Sequence, residues 1–321
     1  MTQLDQLKRH SVVVADTGNF ESIAQFSPRD ATTNPTLILR AAKSPQYRSV
    51  LRKALSCDAG RSIDDAMDAV LVQFGLEILK HVSGRVSSEV DARLSFDTGA
   101  TVYRARQIFN RYRSAGISGD RVLIKIAATW EGIQAAKILA NEGIRTNLTL
   151  VFNLSQAVAC AEAKVQLISP FVGRIYDWYK KSMAEQWDSA RMSGSNDPGV
   201  QSVRQIYQFY KKHGIKTEIM AASFRSVEQV ISLAGCDLLT ISPALLEAMQ
   251  ATEQEVVGTL DGGDSAIPAL PWVALTESHF RLQMNRDAMA TEKLAEGIRL
   301  FEEDTLALEA LVTEILAEKS A

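Results

Sequence analysis

Residues 122–150, VLIKIAATWEGIQAAKILANEGIRTNLTL, read as strand, helix, strand. The apolar run Val122–Ile126 is short and β-rich. The stretch Glu131–Asn141 has helical spacing and stops at Gly143, a C-cap signal, and Thr146–Leu150 is a second β-rich run. Two strands joined through a helix lie parallel, because the crossover returns the chain to the same edge. Working outward, the same alternation continues in both directions. Toward the N-terminus lie the runs Ser11–Asp16, Asp30–Thr33 and Val86–Val90. Toward the C-terminus lie Gln166–Ser169, Thr217–Ala222 and Leu238–Ile241. Helical patterns fall between them, including Leu37–Ala41, Tyr47–Leu55, Ile63–Lys80 and Thr98–Ala115. Eight strands is the number that closes a (β/α)₈ TIM barrel, and this α/β fold is the expectation. An open doubly wound sheet is the alternative, but no GxGxxG follows the first strand.

The chain of 321 residues would suit two domains at about 150 residues each. No linker divides it, however, and a barrel of roughly 250 residues with insertions is one domain. Residues 1–321 are therefore read as a single barrel domain with additional C-terminal helices, the last pattern running from about Asn285. The segments Met192–Gly199 and Gly258–Pro271 read as surface loops. The net charge of −3 argues against a nucleic-acid binder. No stretch is apolar enough for a membrane span, and the N-terminus lacks a signal-peptide pattern. Cys57, Cys160 and Cys236 are too scattered for a disulfide framework or zinc site and suit buried packing. A reducing, cytoplasmic setting is expected.

The chemistry concentrates at the C-terminal ends of the strand runs, the rim where barrels carry catalytic residues. Asp16 ends the first run, Thr33 and Asn34 follow the second, and Glu89 lies near the end of the third. Lys125 is in the fourth, Asn147 and Thr149 are in the fifth, and Ser169 ends the sixth. Strand ends meet polar loops anyway, so no single residue decides the matter. Lys125 is the sharpest signal, an ionisable group inside an apolar strand. Desolvation lowers an amine's pKa, and a free amine attacks a carbonyl to form a Schiff base. A structural lysine paired with Glu89 or Asp16 is the competing reading. Asn147 and Thr149 are two apart and share a face. Arg174 and Arg225, beside Ser169 and Ser223, could form a phosphate site, since guanidinium offers paired donors to phosphate oxygens. Solvated surface arginines are the alternative.

These segments resemble the transaldolase family, in the group with chains of about this length. Asp30–Leu37, DATTNPTL, is similar to one family signature. Val122–Ala135, VLIKIAATWEGIQA, is similar to the second, which surrounds the Schiff-base lysine. VVADTG, SSEVDARLS, NLTLVF, LISPFVGRIYDWY and MAASFR extend the resemblance over nearly the whole chain. It implies a (β/α)₈ barrel, a homodimer, sugar-phosphate substrates, and no cofactor or metal. The implied reaction moves a dihydroxyacetone unit in the non-oxidative pentose phosphate pathway. The donor is sedoheptulose 7-phosphate or fructose 6-phosphate, and the acceptor is glyceraldehyde 3-phosphate or erythrose 4-phosphate.

By resemblance, Lys125 forms the Schiff base and Asp16 takes the proton from the C4 hydroxyl. Glu89 and Thr149 hold a catalytic water. Asn34 and Asn147 hydrogen-bond substrate hydroxyls or the surroundings of the lysine. Ser169 and Phe171 line the site, Thr33 is a further substrate contact, and Arg174, Ser223 and Arg225 bind phosphate. The run Phe152-Asn153-Leu154 departs locally from the pattern, away from the expected chemistry. A fructose 6-phosphate aldolase-like lyase shares the lysine mechanism, but Glu89 and Phe171 favour the transferase. A non-catalytic sugar-phosphate-binding barrel would keep the arginines and could dispense with Lys125, Asp16 or Glu89.

Overall fold

A computed structural model describes residues 1–17, 23, 25–56, 62–260 and 272–320 of the chain. Eight parallel strands close into a barrel in sequence order. They are β1 Val12–Asp16, β2 Asp30–Thr32, β3 Val86–Glu89, β4 Val122–Ala127, β5 Thr146–Val151, β6 Leu167–Pro170, β7 Glu218–Ala221 and β8 Leu238–Ile241. Helices surround them, and the fold is a (β/α)₈ TIM barrel with additional C-terminal helices. Part of the connection from β1 to β2 falls outside the described residues, as do Cys57 and most of the Gly258–Pro271 segment.

Strand alternation sorts the side chains into an outer and an inner set. Val13, Ile124, Ile126, Leu148, Ile168, Ile219 and Leu239 join the main core beneath the helices. Val14, Leu123, Leu167, Met220 and Leu238 form a separate apolar cluster inside the barrel. Two residues further along their strands, on the same inward side, come Asp16, Lys125, Ser169, Ala222 and Thr240. An apolar layer thus underlies a largely polar one, and the polar layer faces the C-terminal mouth. At the opposite end, Arg85 pairs with Asp30 at 2.8 Å and with Glu218 at 2.6 Å, joining the floors of β2, β3 and β7.

Three segments differ from the sequence reading. Met192–Gly199 is not simply surface loop. Asp197 is 1% exposed, caps the helix Pro198–Lys212 through the backbone N–H of Gly199 and Val200, and accepts from Gln229 Nε2 at 2.8 Å. A buried cap and its amide partner look like ordinary turn residues in a sequence. The C-terminal pattern begins earlier than Asn285. It is a helix Glu277–Arg286 followed, after Asp287, by Ala288–Ser320. The long helix buries Ile298, Phe301, Thr305, Leu308, Val312 and Ile315, a stripe spaced alternately three and four residues apart. Finally, Phe152 is buried against Phe171, with ring centroids 5.5 Å apart, so this local departure packs directly on a candidate site residue. Cys160 and Cys236 are buried, as expected of packing residues. Among the described residues no helix is long and apolar enough to cross a membrane.

Candidate active site

Three neighbouring strands set the centre of the site. Glu89 on β3 is in register with Lys125 on β4, and Lys125 with Asn147 on β5. Because in-register residues of adjacent strands face the same way, all three side chains enter the barrel. Lys125 is 5% exposed and Glu89 is 7% exposed. Lys125 Nζ lies 2.8 Å from Glu89 Oε2 and donates to the Thr33 carbonyl at 3.0 Å. Asn147 Nδ2 donates to Ser87 Oγ at 3.1 Å, and its Oδ1 accepts from Ser169 Oγ at 2.6 Å. Thr149, two residues beyond Asn147, has a fully buried hydroxyl with no hydrogen-bond partner. Such an orphaned buried hydroxyl is a position for a water or a ligand atom.

The electrostatics follow from crowding charges where water is scarce. Burial pushes the Glu89 carboxyl above its ordinary range, while Lys125 and Arg174 pull it back and Asp16 adds to the rise. Burial likewise raises Asp16, opposed by Lys125 and Arg174. Two carboxyls that hold protons more tightly than usual therefore flank one amine, an arrangement suited to moving protons at a carbonyl carbon.

The anion side comes from the ends of β6 and β7. Arg174 lies in the first turn of the helix Gly173–Met183 that follows β6. Its guanidinium carbon is 5.1 Å from the Phe171 ring centroid, and its Nη1 is buried with no partner. Burial and the neighbouring Arg225 lower its pKa, offset in part by Glu296, Glu89 and Asp16. Ser223 sits just beyond β7 at a φ of 65°, a left-handed conformation unusual outside glycine and typical of functional turns. Arg225 Nη1 donates to Ser223 Oγ at 3.3 Å, and its Nη2 pairs with Asp177 at 2.7 Å. A fixed pair of cationic groups near a left-handed turn can receive a phosphate dianion.

Two expected contacts have local partners. Asn34 caps the helix Pro35–Lys43, its Oδ1 accepting from the Leu37 N–H at 2.9 Å. Thr33 donates its hydroxyl to the Ser87 carbonyl, and its own carbonyl receives Lys125. Gln156 lies outside the set of residues expected from the sequence. Fully buried, it donates to the carbonyls of Ala128 and Leu150 and accepts from the Phe152 N–H, joining the rims of β4 and β5. Its spacing of three from Asn153 is a capping-box pattern, which could have flagged it. Phe301 of the helix Ala288–Ser320 lies with its ring centroid 5.4 Å from the Arg174 guanidinium carbon, and nothing in the sequence marks it, because an aromatic in an amphipathic helix reads as core.

Fold and site together define a (β/α)₈ barrel with a buried lysine–carboxylate pair toward the C-terminal ends of its strands. The chain belongs to the transaldolase/fructose-6-phosphate aldolase family, whose sequence model matches residues 13–312. This is an enzyme family of aldolase type. Among solved structures, the chain is similar to an enolase from Agrobacterium radiobacter, described as a putative galactarate dehydratase with bound Na and L-malate. The TM-score is 0.41 at 11% identity, covering 72% of this chain and 51% of that one, so this chain spans about half the length of that protein.

Proposed function

We propose that the protein is a transaldolase acting through a Schiff base on Lys125. The observation that carries this reading is the buried Lys125–Glu89 pair at 2.8 Å, with the unpartnered Thr149 hydroxyl on the next strand. Proton transfer from Lys125 to Glu89 frees the amine, which attacks the ketose C2 carbonyl. A water held by Glu89 and Thr149 relays the protons by which the carbinolamine loses water and the imine is later hydrolysed. Asp16 accepts the C4 hydroxyl proton as the C3–C4 bond breaks, and the aldose leaves. The electron pair on C3 is held by the protonated imine, so it persists until an acceptor aldehyde arrives. Arg174, Ser223 and Arg225 bind the phosphate, while Asn34, Thr33, Asn147, Ser169 and Phe171 orient the sugar.

Sedoheptulose 7-phosphate or fructose 6-phosphate is the donor, and glyceraldehyde 3-phosphate or erythrose 4-phosphate the acceptor. The setting is the non-oxidative pentose phosphate pathway in the cytoplasm, with residues 1–321 as one domain and a homodimer as the working unit. The second reading is fructose 6-phosphate aldolase activity, with release of free dihydroxyacetone. Glu89 as the acid–base group and Phe171 in the site favour transfer. Incubation with fructose 6-phosphate and erythrose 4-phosphate decides between them. Sedoheptulose 7-phosphate forming without free dihydroxyacetone supports transfer, and dihydroxyacetone accumulating in the presence of acceptor supports the lyase.

A further inference from the structure

The helix Ala288–Ser320 is fastened across the barrel mouth from several sides. Trp178 Nε1 donates to Glu292 at 2.7 Å, Arg93 pairs with Glu309 at 2.9 Å, and the Thr36 hydroxyl bonds Asp304. Between these ties the helix presents two residues to the site. Phe301, 2% exposed, has its ring centroid 5.4 Å from the Arg174 guanidinium carbon and 5.9 Å from Lys125 Nζ. Phe171 approaches the same guanidinium at 5.1 Å, so Arg174 lies against two aromatic rings. One turn earlier, a Cβ on Gly297 would fall 3.0 Å from Arg174 Nη1 and 2.7 Å from Leu150 Cδ2. Leu150 itself takes a φ of 57°, beside the irregular register between β5 and β6. The helix, a strained rim residue and the guanidinium therefore meet where an added Cβ would press on the ends of the Leu150 and Arg174 side chains.

We propose that Phe301 and Gly297 are positioning residues for the anion subsite, setting the plane and depth of Arg174 from the C-terminal helix. The inference rests on reading Arg174 as a phosphate-binding group. An arginine side chain is long and flexible, and binding an anion must immobilise it. Two aromatic faces supply that order in advance, because a cation is attracted to the ring quadrupole most strongly where water is excluded. Gly297 leaves room for Nη1 to stay buried without a protein acceptor. A buried N–H without a partner is costly, and a phosphate oxygen on the substrate would satisfy it. Phe301 thus acts through Arg174 rather than on the reacting atoms.

The test uses the whole chain and steady-state kinetics with fructose 6-phosphate as the varied donor and erythrose 4-phosphate as the acceptor at fixed concentration, alongside competitive inhibition by inorganic phosphate. Phe301→Leu, which keeps an apolar side chain without a ring, should raise both the KM and the phosphate inhibition constant about ten-fold, the scale of a desolvated cation–π contact. The kcat should change little, and Phe301→Tyr should restore both constants. Gly297→Ala should move them in the same direction as Phe301→Leu. Where leucine disturbs folding, as judged by thermal unfolding, Phe301→Met fills the space without a ring and carries the same expectation. A lower kcat with both constants unchanged, or no change in any, would overturn the proposal. Arg174→Ala separates the two levels. If it leaves phosphate inhibition intact, the phosphate reading beneath the proposal fails. If it abolishes inhibition while the ring-less variants retain it, the positioning role alone fails.

Discussion

At the scale of the residue, the site centres on a buried ion pair between Lys125 and Glu89. Lysine within an apolar strand is the feature the sequence exposes most clearly, and in the folded barrel strand alternation puts it on the inward face with Leu123. The sequence leaves open whether Lys125 is a nucleophile or a structural ion, because a catalytic and a structural carboxylate partner have the same composition. Burial raises the Glu89 carboxyl, so the carboxylate able to accept a proton from Lys125 becomes available only as pH climbs through a value above the ordinary 4.5. Activity should therefore show an acid limb displaced upward from that of a free glutamate. Glu89→Gln should remove this contribution to the pH profile and lower kcat by about 10²- to 10⁴-fold, the usual worth of a general acid–base group. An unaltered acid limb in the variant would assign it elsewhere. The Thr33 carbonyl contact was not legible, because a backbone acceptor has no residue signature.

At the scale of the element, neighbouring helices hold charges that sequence periodicity cannot pair. Asp68, on the helix Ile63–Leu79, meets Arg104 of Thr98–Ser114 at 3.1 Å. Burial nevertheless pushes its carboxyl from 3.8 up to about 6, with Arg104 and Arg111 opposing and Asp64 adding to the rise. A raised folded-state pKa favours folding below the unfolded value, and that contribution is lost as pH climbs through the folded one. The stability of the wild type relative to Asp68→Asn should therefore fall by about 2 kcal/mol between pH 4 and 7. Denaturant titrations at both pH values measure this difference, and a flat difference would contradict it. The strand runs were legible to within one residue at every end, since each combines β-rich composition with turn residues. The reach of the C-terminal helix into the site was not. Its alternating three- and four-residue stripe records that one face is buried, without recording that the surface beneath it is the mouth of a barrel.

At the scale of the whole molecule, the two ends of the barrel do different work. The floor carries Arg85 between Asp30 and Glu218, and the mouth carries the Lys125 cluster, with the apolar layer of Val14, Leu123, Leu167, Met220 and Leu238 between them. Removing the central cation leaves buried Asp30 to Arg29, at 3.4 Å, and partly buried Glu218 without its ion-pair partner, so Arg85→Ala should cost about 3 kcal/mol in denaturant unfolding. The variant's kcat at a temperature where it remains folded should stay close to the wild-type value. A selective loss of kcat without loss of stability would contradict this division of labour. The order of eight strands and the ring of polar rim residues were legible because both are local patterns repeated along the chain. The floor network was not, because Asp30, Arg85 and Glu218 are brought together only when the barrel closes. The central claim, covalent catalysis by Lys125, is tested most directly by borohydride reduction during turnover of fructose 6-phosphate, followed by peptide mass mapping. The account predicts a reduced dihydroxyacetone adduct on the peptide containing Lys125 and none in Lys125→Arg, whereas no adduct in the wild type, or one on a different lysine, would contradict it.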